Sequence, residues 1–240
     1  MAMDFVPYGA YEDIINILGK WKVMDIKSLS DLNNYDLKYL NLCKKVRKLE
    51  AHGLIKSVLL GKKSKHVFLT NKGLTYTPYD HTYEISDENI THDIIVGKVL
   101  KELIAMPQFI DGRMFHEIAV EHLLPDAQVV GVKNKETYKL AVEVELTQKS
   151  QSRVKEKYRR FGRDNNFNYA FFITNKETLF KAYKRYLLEM NSATQEAIIL
   201  MLNKSLSVSN LEIEKGQCFY NGIETSFDGL FSDKNNQDDE

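Results

Sequence analysis

Cysteine is scarce in this chain of 240 residues, and neither sign of charge is in excess. Cys43 and Cys218 stand far apart and form no metal-ligand pair, which suits a reducing compartment. Lys plus Arg and Asp plus Glu each number 33, so no overall basic excess announces nucleic acid, and local patches must carry any such interaction. No apolar run approaches the roughly 20 residues that cross a bilayer. The opening MAMDFVPYGAYED lacks a signal-peptide pattern, and no internal repeat is present. A cytoplasmic protein of one large or two small domains is expected. A metalloprotease zinc site is excluded as well. Near His116 and Glu117 the H-E-x-x-H pattern needs a histidine where the chain has Val120, and His122 lies six places from His116.

What is present centres on residues 124–149. Gln128 to Val132 and Tyr138 to Leu146 read as the strands of a hairpin, joined by Lys133-Asn134-Lys135-Glu136. Alternation places Val142, Val144 and Leu146 on one face and Glu143 and Glu145 on the other. With Asn134 and Lys135 as the turn, Asp126 falls directly opposite Glu143, where cross-strand Cβ atoms lie about 5 Å apart. Such a pair of carboxylates can share a hard divalent cation. The competing reading is a solvated strand face whose acids pair with lysines.

Ser150 to Arg163 follows as a helix with Val154, Tyr158 and Phe161 on its inward stripe. Lys157 shares that stripe and is positioned to reach the acids, with Lys149 and Lys155 as weaker candidates. Arg153, Lys155, Arg159, Arg160 and Arg163 face elsewhere and make a basic patch beside them. Tyr169 to Thr174 has the continuous apolar character of a buried parallel strand. Lys176 to Met190 reads as a helix and Ala197 to Leu202 as a strand. A late hairpin is expected from Cys218–Tyr220 and Ile223–Leu230, and 232–240 reads as a disordered acidic tail.

Upstream, three helices are expected: Tyr11 to Leu18, one beginning at Asp25, and Tyr35 to His52 with Leu37, Leu40, Val46 and Leu49 inward. Gly53 stops the third. Strands Leu54–Leu60 and His66–Thr70 follow, joined by 61–65. Between residues 44 and 72, Lys44, Lys45, Arg47, Lys48, Lys56, Lys62, Lys63, Lys65 and Lys72 face only Glu50 in opposition, which gives a footprint suited to phosphates. Asn33, Asn34, Asn41 and Arg47 are the candidates for base readout. Residues 75–83 read as an aromatic linker containing Pro78. A long, largely buried helix then runs from Asp87 to Ala105.

Two resemblances attach to these residues. The string LEAHGLIKSVLLGKKSKHVFLTNKG resembles a winged helix, a DNA-binding fold. Pro125-Asp126 followed by Glu143-Val144-Glu145 resembles the PD-(D/E)xK nuclease core, and EVELTQKSQSRVKEKYRRF is similar to the replication-relaxation family, which includes endonuclease-like relaxases. The implied fold is α/β. A winged helix-turn-helix (1–75) and a linker (76–86) precede a restriction-endonuclease-like mixed sheet flanked by helices (87–231), and an acidic tail (232–240) closes the chain. The implied metal is Mg²⁺ or Mn²⁺ on Asp126 and Glu143, with Glu145 as a further ligand or base, and His92 is implied as a contributor from the long helix. One departure matters: the motif lysine is replaced by Glu145, so Lys157 is the candidate substitute.

The resulting expectation is a metal-dependent DNA endonuclease, a plasmid mobilisation relaxase that nicks one strand at the transfer origin with accessory mobilisation proteins. DNA would be held by Lys44, Lys45, Arg47, Lys48, Lys62, Lys63, Lys65, Arg159 and Arg160. A restriction or transposon-end nuclease, and a replication or transcription regulator with an inert nuclease fold, are the alternatives. A phosphotyrosine route through Tyr158 ranks below hydrolysis.

Overall fold

The computed structural model describes residues 5–60, 64–79, 87–115 and 124–231. The expected tail, much of the linker, the turn lysines Lys62 and Lys63, and the 116–122 segment lie outside these residues. Contacts divide the chain into two compact units. One comprises Met1–Gly97 with Met114–Ile118, the other Lys98–Arg113 with Ala119–Glu240.

In the first unit the order is α1 (Ala10–Trp21), β1 (Val23–Asp25), α2 (Ile26–Leu32), α3 (Tyr39–Ala51), β2 (Ile55–Leu60), β3 (Ser64–Leu69) and α4 (Asn71–Leu74). The strands form an antiparallel sheet in the order β1-β3-β2. Ile14, Ile15 and Leu18 of α1 and Leu42, Val46 and Leu49 of α3 are wholly buried. Each large apolar side chain so buried contributes roughly 2 kcal/mol. Asp25 caps α2 by accepting the Ser28 N–H at 3.0 Å.

The third helix starts four residues later than the sequence suggests. Asn33 Oδ1 accepts the Tyr35 N–H at 3.0 Å, and Asp36 adopts φ 46°, so the backbone turns before Lys38. Starting at Tyr39 rotates the pattern onto Leu42-Val46-Leu49. Leu40, expected inward, is 73% exposed.

α5 (Asp87–Ile104) belongs to both units. Its first half is fixed within the first unit by a buried ion pair, Lys22 Nζ to Asp93 Oδ1 at 3.3 Å.

The second unit carries β4 (Phe109–Met114), β5 (Ala127–Lys133), β6 (Glu136–Val144), α6 (Gln151–Phe161), β7 (Tyr169–Thr174), α7 (Glu177–Leu188), α8 (Ser192–Ala197), β8 (Ile198–Leu202), β9 (Gln217–Tyr220), β10 (Ile223–Ser226) and α9 (Phe227–Phe231). Seven strands form one sheet in the order β10-β9-β8-β7-β6-β5-β4, flanked by helices. The sheet is mixed: β6-β7 and β7-β8 are parallel, whereas β5-β6, β8-β9 and β9-β10 are antiparallel. From α5 to β7 the chain runs α-β-β-β-α-β.

Two differences have local causes. β4 has no counterpart among the strands expected from the sequence, and its Gly112 lies under α5. A Cβ there would stand 2.6 Å from Leu100 Cδ1 and 2.9 Å from the Gln128 carbonyl. The late hairpin ends early, because Phe227 to Phe231 coil into α9. Phe227 is fully buried there, 6.2 Å from the Phe171 ring centroid.

Candidate active site

The β5-β6 hairpin sets the site. Asn134 and Lys135 adopt φ 52° and 68°, a two-residue turn whose twist matches the strands. The pairing runs from Lys133↔Glu136 to Ala127↔Val142, so the next step of the register places Asp126 against Glu143. Pro125 has no N–H to continue the ladder. The Asp126 carboxylate takes over instead, with Oδ2 accepting the Val144 N–H at 2.8 Å.

Glu143 and Glu145 extend toward α6 and α7 on the face of Ala141, and both are only 2% exposed. Between them stands the Lys157 ammonium, 2.5 Å from Glu143 Oε2 and 3.3 Å from Glu145 Oε1. Val154, Tyr158 and Phe161 anchor α6 in the core, and that anchoring aims Lys157 inward. Glu145 is further held by Lys149 at 2.7 Å and by the Tyr183 hydroxyl at 3.5 Å. Glu143 is served differently. Its Oε1 is buried with no hydrogen-bond partner among the described residues.

Electrostatics follow from this asymmetry. Burial, helped by the Asp126 and Glu145 charges and opposed by Lys157, pushes the Glu143 carboxyl up to about 8. Burial depresses Lys157, but Glu143, Glu145 and Asp126 together outweigh it and drive the ammonium above its ordinary value. Tyr183, burdened by burial and by Glu145, is also raised.

Among the described residues no group of three His, Cys, Asp or Glu side chains is arranged to hold a metal ion. Glu145 has its oxygens on Lys149, Lys157 and Tyr183. A two-carboxylate grip is compatible with what is present. Asp126 and Glu143 supply hard oxygens, one of them unpartnered and buried, and Mg²⁺ commonly takes one or two carboxylates plus water and phosphate oxygens.

The other expected residues divide. His92 belongs to the first unit, where its Nδ1 lies 3.7 Å from Asp93. Tyr158 is fully buried and its hydroxyl donates to the Tyr183 carbonyl at 3.4 Å, which removes it as a nucleophile. Asn33 and Asn34 are bound to Asp13, leaving Asn41 and Arg47 of the readout candidates. Lys44 and Arg47 are exposed with no ion pair among the described residues. Lys45 and Lys48 lie over the rings of Tyr11 and Phe5, at 4.1 and 5.0 Å. Lys65 pairs with Glu50 at 2.8 Å, and Arg159 and Arg160 pair with Glu156 at 3.5 and 3.3 Å. Those Glu156 pairs are half-exposed and weak, each worth at most about 0.5 kcal/mol, and a phosphate can displace them. Sequence reasoning missed Tyr183; only the α7 stripe it shares with Phe180 and Leu187 pointed inward.

No family model matches the chain, and no curated protein matches it. Among solved structures it is similar to restriction endonuclease FokI, with TM-score 0.27 and 12% identity over 77% of this chain and 40% of that one. It is also similar to FokI bound to DNA, with TM-score 0.25 and 13% identity over 74% of this chain and 41% of that one. The chain thus spans about two fifths of the length of these proteins. Overlap at this level fixes neither family nor reaction. No helix among the described residues is long and apolar enough to cross a membrane.

Proposed function

We propose that the protein is a divalent-metal-dependent DNA endonuclease and, more narrowly, a plasmid mobilisation relaxase that nicks one strand at a transfer origin. The observation that carries the reading is the meeting of Asp126 and Glu143 in register, with the Lys157 ammonium 2.5 Å from Glu143. Two acids and a lysine converging from separate elements are what phosphodiester hydrolysis requires: oxygens for a cation and a fixed positive charge for the phosphate. A bound Mg²⁺ or Mn²⁺ would supply Lewis acidity and activate water. Asp126 and Glu143 would hold it. Glu145 keeps Lys157 aimed by sharing its ammonium, and Lys149 in turn neutralises Glu145.

DNA recognition falls to the first unit, read as a winged helix. Its helix-strand-helix-helix-hairpin order suits that fold, with exposed Lys44 and Arg47 on α3 as the phosphate and base contacts. Domains at 1–75 and 87–231 follow from the same reading.

A second reading has its own support. The close Lys157 to Glu143 pair, on a carboxylate 2% exposed, is also what an inert nuclease fold in a DNA-binding regulator would keep as a structural ion pair. Incubating supercoiled plasmids, with and without the native origin, in Mg²⁺ or EDTA separates the two. Open circles confined to the origin plasmid and absent in EDTA are the expected result. Linear products would indicate a double-strand nuclease. Intact plasmid together with retained duplex binding would indicate the regulator.

A further inference from the structure

At the other end of β6, and on the other face of the sheet, lies a cavity of about 380 Å³ that the cutting reaction does not use. Tyr138 is five residues before Glu143, about 17 Å along the strand, and alternation puts it on the opposite face. The cavity floor is a row of side chains from four adjacent strands: Tyr138 of β6, Tyr169 of β7, Ile199 of β8 and Tyr220 of β9. Tyr138 and Tyr169 meet edge to face at 6.1 Å, and Tyr169 and Tyr220 at 6.2 Å. Phe231 of α9 closes one side.

Tyr138 is held in place by the residue across from it. Gly131 pairs with Tyr138 in the hairpin, and a Cβ at Gly131 would stand 2.3 Å from the tyrosine ring. The ring therefore lies over bare backbone, and the glycine makes room for it.

The rim is polar in a particular way. Asn134 and Asn168 line it, and each can present an amide. Asn168 Oδ1 accepts the Lys139 N–H at 2.8 Å, and its NH₂ has no partner among the described residues. The Asn134 side chain makes no hydrogen bond there either. Lys133 and its cross-strand partner Glu136 also line the rim, both exposed and without an ion pair among the described residues.

We propose that this aromatic cavity binds a nucleotide, with the base among the tyrosines and the phosphate toward Lys133. Its volume falls within the roughly 300 to 1,000 Å³ of small-ligand sites. Tyrosine rings accept the faces of a base, amides match its donor and acceptor edge, and a lysine meets its phosphate. A fatty or purely apolar ligand would leave both amides and the lysine without a role. The base can come from a free nucleotide or from the unpaired end of a strand; the chemistry is shared.

Anisotropy of etheno-AMP, titrated with the full chain, tests the assignment. Saturable binding with a Kd below about 1 mM is expected. Tyr138→Leu should weaken it roughly tenfold, in the range of losing one stacking partner. Lys133→Glu, at an exposed position, should weaken competition by dAMP while leaving competition by deoxyadenosine intact, and it keeps the test decisive if Tyr138→Leu misfolds. Glu143→Gln should bind the probe like the wild type whether or not the protein cuts DNA. Displacement by a short single strand at far lower base concentration than by dAMP would assign the site to strand ends, and equal displacement to free nucleotide. Absence of saturable binding, or wild-type binding by both Tyr138→Leu and Lys133→Glu, would overturn the proposal.

Discussion

Replacing Glu143 by glutamine keeps the side chain's shape and removes one titration, so its effect on stability can be worked out in advance. In the unfolded chain the carboxyl has its ordinary value of 4.5, and in the folded protein burial beside Asp126 and Glu145 lifts it to about 8 despite Lys157. Between those values the folded protein holds a proton that the unfolded chain has lost. Stability from this group is therefore fully present below pH 4.5 and is lost as pH rises through 8. The slope is about 1.4 kcal/mol per pH unit, and over the interval it totals about 5 kcal/mol. Glu143→Gln lacks the slope. Urea unfolding of both proteins in EDTA from pH 5 to pH 8 should show the wild type losing about 4 kcal/mol relative to the variant. Saturating Mg²⁺, which favours the ionised carboxylate, should flatten the wild-type curve and leave the variant unchanged. Parallel curves for the two proteins would refute the buried, proton-holding carboxyl. A slope that Mg²⁺ does not alter would refute the metal assignment alone.

Three other perturbations probe the remaining parts. Lys157→Met should abolish nicking in the plasmid assay, and it should cost about 3 to 5 kcal/mol in urea unfolding at pH 9 but less at pH 6, where Glu143 already holds a proton. Tyr158→Phe should leave cleavage unchanged and cost at most about 1 kcal/mol, since only a 3.4 Å hydrogen bond is lost; loss of cleavage would revive a tyrosine-linked path. Lys44→Ala with Arg47→Ala should weaken duplex binding and lower the slope of log affinity against log salt by about 2, while unfolding midpoints stay fixed. An unchanged salt slope would move the DNA surface off α3.

How much of this was legible in the sequence depended on how local each cause is. The hairpin register was readable because alternation and a two-residue turn determine it together, and both lie within residues 126–143. Lys157 was readable because a lysine on an apolar stripe has to point where the stripe points. β4 was hidden, since the reason for its Gly112 lies in Leu100 and Ile104, which press on it from a separate element. Leu40 was misplaced because the delayed start of α3 depends on an Asn33 side-chain bond and a positive φ at Asp36. The pairing within the lysine patch was out of sight for a similar reason. Lys65 finds Glu50 fifteen residues away, and only the β2-β3 hairpin brings the two together. The clamp on Glu145 by Lys149 was half visible, as a spacing of four, whereas Tyr183 needed the packing of α7.

The bend at Asn134-Lys135 carries a consequence for how this molecule can change over evolutionary time. Surface bends ordinarily tolerate insertions and deletions, because nothing far away reads their length. Here Glu143 is eight residues from Lys135, roughly 26 Å of strand, yet one added residue at the bend would slide Asp126 off its partner and turn one strand's side chains to the wrong face. Related chains that keep the acids should therefore keep the length of this bend even where its residues differ.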